Sequence, residues 1–138
     1  MKIVTLIARI LLGLIFVVFG LNGFLNFLSM GPMPTGLAGQ FIGALALSHY
    51  YWVVAALQII GGALLLLNRF VPLALVLLGP VIVNIILYHV FLNLSGAPVA
   101  AVVTVLWLIV FYGNRQHFSG IFVQRGDWAF EATEESRF

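Results

Sequence analysis

The chain has no cysteine, and none of its four acidic residues occurs before Asp127. The first absence excludes thiol redox chemistry, disulfide exchange and thiolate metal sites. The second removes the carboxylates that proton-coupled transporters and hydrolytic sites rely on. Charge of either sign is scarce: 7% of the 138 residues are charged, against 63% hydrophobic. A soluble domain carries roughly 25% charged residues. With a mean hydropathy of +1.17, too few polar groups remain to cover a water-facing surface, so the bilayer is the expected solvent. The length suits one domain.

The six Lys and Arg residues are Lys2, Arg9, Arg69, Arg115, Arg125 and Arg137. Lys2 and Arg9 open the first apolar stretch, Arg69 separates the second from the third, and Arg115 closes the fourth. The two remaining links carry no Lys or Arg. Positive charge in short loops marks the cytoplasmic side, so both termini are expected there. The net charge of +2 is spread over helix ends rather than gathered on one face, which reads as topology and not as nucleic-acid binding.

The expected fold is an all-α integral membrane four-helix bundle with spans at about 3–28, 50–67, 70–92 and 98–114. Residues 1–115 form the transmembrane domain. Residues 116–138 form a cytoplasmic interfacial segment and tail, with His117, Phe118, Phe122 and Trp128 along the interface, followed by Glu131, Glu134 and Glu135. The first apolar run exceeds the roughly 7–15 residues of a signal-peptide core and reads as a retained helix. Arg9 is expected to snorkel to the headgroups. Gly13, Phe16 and Gly20 form one stripe that lets a neighbouring helix approach closely. Pro32 and Pro34 break the chain, with Thr35 as an N-cap. The apolar run from Gly36 to Leu67 would make a helix about 48 Å long, too long for one crossing. It splits into a short outer-surface helix over Gly36–Leu47 and a span that begins at the aromatic belt of Tyr50, Tyr51 and Trp52. Asn68-Arg69 is a tight turn, and Pro80 predicts a kink in the third span.

Polar side chains within the bilayer need partners or a cavity. They are Asn22 and Asn26 in the first span, Gln58 in the second, Asn84, Tyr88 and His89 in the third, and Thr104 in the fourth. All lie from the midplane to the outer end. Gln58, Gly61 and Gly62 share a stripe, as do Pro80, Asn84 and Tyr88, and Asn22 and Asn26 stand one turn apart. Converging, Asn22, Asn26, Gln58, Asn84, Tyr88 and His89 would line an outward-facing pocket. The competing reading is that each amide bonds a neighbouring helix, at about 0.6 kcal/mol. His49 is twenty residues before Arg69 and His89 twenty after, so the two stand level across the turn. A metal or haem between them is one reading. His89 as a hydrogen-bonding or pH-responsive pocket group, or as a structural interface residue, are the others. No metal site is expected.

The segments RILLGLIFVVFGLN from Arg9, QIIGGALLLLNRFVPLAL from Gln58 and VIVNIILYHVFL from Val81 resemble the DoxX and DoxX-like membrane proteins. Their order and spacing carry the resemblance, which runs to about Phe122. It implies a four-helix bacterial inner-membrane protein. Some members are quinone-reducing thiosulfate oxidoreductase subunits, and others belong to membrane oxidoreductase complexes with superoxide dismutase and a sulfurtransferase. Two positions depart from the pattern. Gly23 stands where a lysine is common, and Gln58 where a glutamate is common. Both replacements remove a charge that proton- or electron-linked chemistry would use.

The expectation is therefore a subunit or binding protein of a membrane oxidoreductase system, with a pocket for a quinone-like or lipid-like molecule and a quinone as the possible cofactor. The alternative is a structural or assembly partner of other membrane proteins, or a homo-oligomer, without its own chemistry. A small-solute transporter ranks third, because the inner half offers no polar path.

Overall fold

The computed structural model describes residues 2–29, 31–123 and 126. Among the described residues five α-helices follow one another: α1 (Lys2–Leu25), α2 (Gly36–Leu47), α3 (Tyr50–Leu67), α4 (Val71–Phe91) and α5 (Ala97–Gly113). Short 3-10 turns occupy Leu94–Gly96 and Arg115–Phe122. α1, α3, α4 and the stretch Leu94–Gly113, which is α5 with the 3-10 turn before it, are long and apolar enough to cross a membrane. At about 1.5 Å per residue they measure roughly 25–36 Å, against a hydrocarbon layer of about 30 Å. α2, with 12 residues, spans only about 18 Å.

The four long helices form an antiparallel ring in the order α1, α3, α4, α5, each packed on its two neighbours. Lipid tails are as apolar as the side chains, so burial alone does not hold such helices together; close packing does. α1 and α3 meet backbone to backbone. A Cβ added to Gly13 would stand 2.9 Å from the carbonyl oxygen of Gly62, and one added to Gly20 would stand 2.9 Å from that of Ala55. The stripe of Gly13, Phe16 and Gly20 is buried, as its spacing predicts. α3 meets α4 where Gly61 receives Leu78. α4 and α5 are tied by the Trp107 indole N–H, which donates to the Leu75 carbonyl at 3.1 Å. Leu12, Leu65, Leu75, Leu78 and Val110 are fully buried at the centre.

The connections explain the helix limits. α1 stops at Leu25, three residues short of the expected Leu28. Asn26 adopts the left-handed conformation (φ 51°), which Asn tolerates better than apolar residues do, and its N–H closes on the Asn22 carbonyl. The Asn22 side-chain oxygen then accepts from the Leu28 N–H at 2.7 Å. Phe27 and Leu28 thus follow the helix rather than continue it. At the other end of the bundle, Asn68 is also left-handed (φ 55°). Its N–H and that of Arg69 reach back to the Leu65 and Leu64 carbonyls, a Schellman ending that reverses the chain within three residues.

α2 lies at the end of the bundle opposite the Asn68 turn, where Phe41 stacks on Tyr88 of α4 with ring centroids 5.7 Å apart. Beyond α5 the chain folds back, burying Phe118 against Phe111 at 4.8 Å. Of the interfacial residues expected after Arg115, Phe118 therefore belongs to the bundle core rather than to its surface. Trp128 and the glutamates of the tail lie outside the described residues.

Candidate functional site

The six residues expected to share an outer pocket do not converge. Asn22 is buried, but its oxygen is committed to the Leu28 N–H. Asn26 is exposed and serves as the helix stop, because its left-handed backbone takes it off the stripe of Asn22. Asn84 is exposed too. Its amide donates to the Pro80 carbonyl of its own helix at 2.9 Å, and the Pro80–Asn84 stripe faces away from the bundle. A lone amide in lipid satisfies itself on the nearest free lone pair, which here lies one turn back. Thr104 does the same on Ala100 at 2.7 Å.

Tyr88 and His89 belong to the packing of the end opposite the Asn68 turn. The His89 ring meets Tyr88 edge-on at 5.0 Å, and Nδ1 lies 3.0 Å from the Asn93 carbonyl oxygen. The ring also fills the space that a side chain at Gly96 would need. The His49 ring lies tilted against Trp52, centroids 4.5 Å apart, in left-handed backbone at the start of α3. Each of these two rings thus has its own aromatic neighbour, and His89 a backbone partner as well. Among the described residues no three His or acidic side chains come together.

Gln58 stands apart. It is 6% exposed, inside the ring of helices, and its amide oxygen has no hydrogen-bond partner. Leaving such a group unpaired costs about 1–3 kcal/mol on protein mutational scales.

An opening lies at the other end of the bundle, beside the Asn68 turn. A cleft of about 500 Å³ opens where the starts of α1 and α4 meet the ends of α3 and α5. Lys2, Thr5, Leu6 and Arg9 line one wall at helical spacing, on a single face of α1. Asn68 and Val71 form the floor, and Tyr112, Asn114 and Arg115 the far wall. Three cations therefore face one space, with no carboxylate among the described residues. Two of them are held. Arg9 does not simply extend to the headgroups: it is half-buried and donates through Nη1 to the Leu65 carbonyl. The Leu65 carbonyl, which also accepts from the Asn68 N–H, has a second lone pair for Arg9, and a guanidinium there also meets the negative pole of the helix. Arg115 donates to the Tyr112 carbonyl at 2.7 Å and lies 4.1 Å above the Tyr112 ring. Arg carries five donors, so each guanidinium keeps most of its hydrogen-bonding capacity.

A second opening adjoins the first. An apolar groove of about 270 Å³ runs between α1 and α5, lined by Val4, Val105, Leu108, Ile109 and Tyr112. Tyr112 belongs to both, so the polar cleft and the apolar groove meet at its ring.

No family model, curated protein or solved structure matches this chain. In the sequence Lys2, Arg9 and Arg115 are legible as markers of orientation. Their meeting at one cleft depends on the antiparallel ring, which brings residues 2, 68 and 115 to the same end.

Proposed function

We propose that the chain is a DoxX-like, non-catalytic membrane subunit that binds an amphipathic, lipid-like or quinone-like molecule at the end of the bundle carrying Lys2 and Arg115. That end would face the cytoplasm of a bacterial inner membrane, following the Lys/Arg bias. The supporting observation is the junction at Tyr112, where a cationic cleft continues into an apolar groove. One molecule with a polar head and an apolar tail satisfies both surfaces. The combined space falls within the roughly 300–1,000 Å³ typical of small-molecule sites.

Gentle extraction followed by mass spectrometry of the co-purified small molecules tests this reading. An amphipath should accompany the wild-type chain and be lost from Leu108→Trp, which fills the groove. It should remain with Val76→Trp, a lipid-facing control on α4. Equal recovery from all three chains contradicts the proposal.

Gln58 favours a second reading, a quinol-like ligand reaching the bundle interior. Its unpartnered amide oxygen is an acceptor. A quinone has only carbonyl acceptors to offer, whereas the hydroxyl of its reduced form can donate. Under this reading Gln58→Leu, but not Leu108→Trp, removes the bound molecule.

A further inference from the structure

Resting on the site at Tyr112, we infer that its ligand is an acidic phospholipid, whose phosphate sits among Lys2, Arg9 and Arg115 while an acyl chain lies in the groove along Leu108. Neither opening addresses the headgroup by itself. The cleft's charge does. Three cations share one space without a carboxylate among the described residues, so their mutual repulsion is relieved by an anion. Guanidinium forks match phosphate oxygens two at a time, while Lys2 adds a mobile ammonium.

The two arginines are also pre-oriented. The Leu65 carbonyl holds Arg9, and the Tyr112 carbonyl and ring hold Arg115. Fixing them beforehand lowers the ordering cost of binding. Position agrees with this chemistry. Lys2 and Arg9 are seven residues apart on one helix face, about 10 Å along the axis. The cleft thus runs from the mouth of the bundle down its side, the depth over which a lipid passes from phosphate to acyl chain.

A soluble phosphate compound carries the same anion, and the groove distinguishes the two sources. It is lined by aliphatic side chains of α1 and α5 that open to the lipid side: Val4, Val105 and Leu108 are all about half-exposed. A soluble phosphate has no use for it.

The test is a titration of the full-length chain, in lipid-stripped detergent, with phosphatidylglycerol, phosphatidylcholine of the same acyl chains, and glycerol 3-phosphate. Native mass spectrometry reads the occupancy. Phosphatidylglycerol should bind at least about tenfold more tightly than phosphatidylcholine. Each cation near a membrane surface contributes about 1 kcal/mol, so Lys2→Gln with Arg115→Gln should weaken phosphatidylglycerol roughly thirtyfold. Lys2→Arg with Arg115→Lys should restore most of it. Both positions are exposed, so the fold tolerates these exchanges, and an unchanged melting temperature in lipid-free detergent verifies it. Leu108→Trp should weaken phosphatidylglycerol at least about tenfold.

Equal affinity for the two lipids, with both lost in Leu108→Trp, overturns the acidic headgroup while leaving amphipath binding at Tyr112 standing. Glycerol 3-phosphate binding as tightly as phosphatidylglycerol, and indifferently to Leu108→Trp, assigns the cleft to a soluble phosphate and overturns the lipid. Phosphatidylglycerol binding that ignores both the charge and groove variants overturns the site itself.

Discussion

Glycines decide how closely α1 and α3 approach, and they are not equivalent. A Cβ at Gly62 would come within 2.8 Å of the Gly13 carbonyl oxygen and 2.9 Å of the Val17 nitrogen, both backbone atoms. Neither can move without moving a helix. Gly62→Ala should therefore destabilise the bundle by about 1–3 kcal/mol, the usual cost of overpacking. At Gly79 the nearest atom to an added Cβ is Trp107 Cζ2, at 3.7 Å, an ordinary contact. Gly79→Ala should be neutral, or stabilising by up to about 1 kcal/mol through helix propensity. Unfolding of both variants in mixed micelles checks the contrast. Comparable losses at the two positions would contradict the backbone packing of α1 on α3. The stripe of Gly13 and Gly20 is legible from spacing alone. The roles of the amides are not, because Asn22, Asn26 and Asn84 are all apt for helix interiors, helix caps and ligand contacts alike. Which role each takes depends on the nearest orphaned backbone group, and that appears only once the chain reverses at Asn26 and the α4 face turns outward.

At the scale of elements, the limits of α2 and α3 follow directly from the sequence. Pro34 and Thr35 start α2, and the Tyr50–Trp52 belt marks the start of α3. α1 ends earlier than its apolar run, since Phe27 and Leu28 look helical by hydropathy while the backbone turns at Asn26. The segment after α5 is the larger surprise. Arg115–Phe122 is polar enough to read as an interfacial tail, yet Phe118 is 6% exposed and closes the end of the core. Phe118→Ala should cost about 3 kcal/mol or more. It should also increase proteolytic cleavage around Gln116–Ser119 in detergent. Unchanged stability and cleavage would return this segment to the surface.

For the molecule as a whole, an even number of spans places both ends of the ring with the Asn68 turn, and the cations of that end become one cleft. The bundle class was readable from hydropathy and charge scarcity. The cleft was not, since its walls come from residues 2–9, 68–71 and 112–115, each of which alone looks like a helix end at a membrane surface. The orientation expected from the charge bias is testable in a chain without native cysteine. A single thiol introduced as Ser119→Cys should be labelled only from the cytoplasmic side, and one introduced as Ser95→Cys only from outside. The reverse pattern would place the cleft in the outer leaflet.

Binding at the Tyr112 junction is tested most directly by thermal unfolding in lipid-stripped detergent, with and without added membrane lipid extract. A ligand that binds only the folded chain raises its melting temperature by mass action. The extract should raise the melting temperature of the wild-type chain and of Val76→Trp, and leave that of Leu108→Trp unchanged. An equal rise in all three would mean that lipid stabilises the bundle only as a solvent, and would contradict a site at Tyr112.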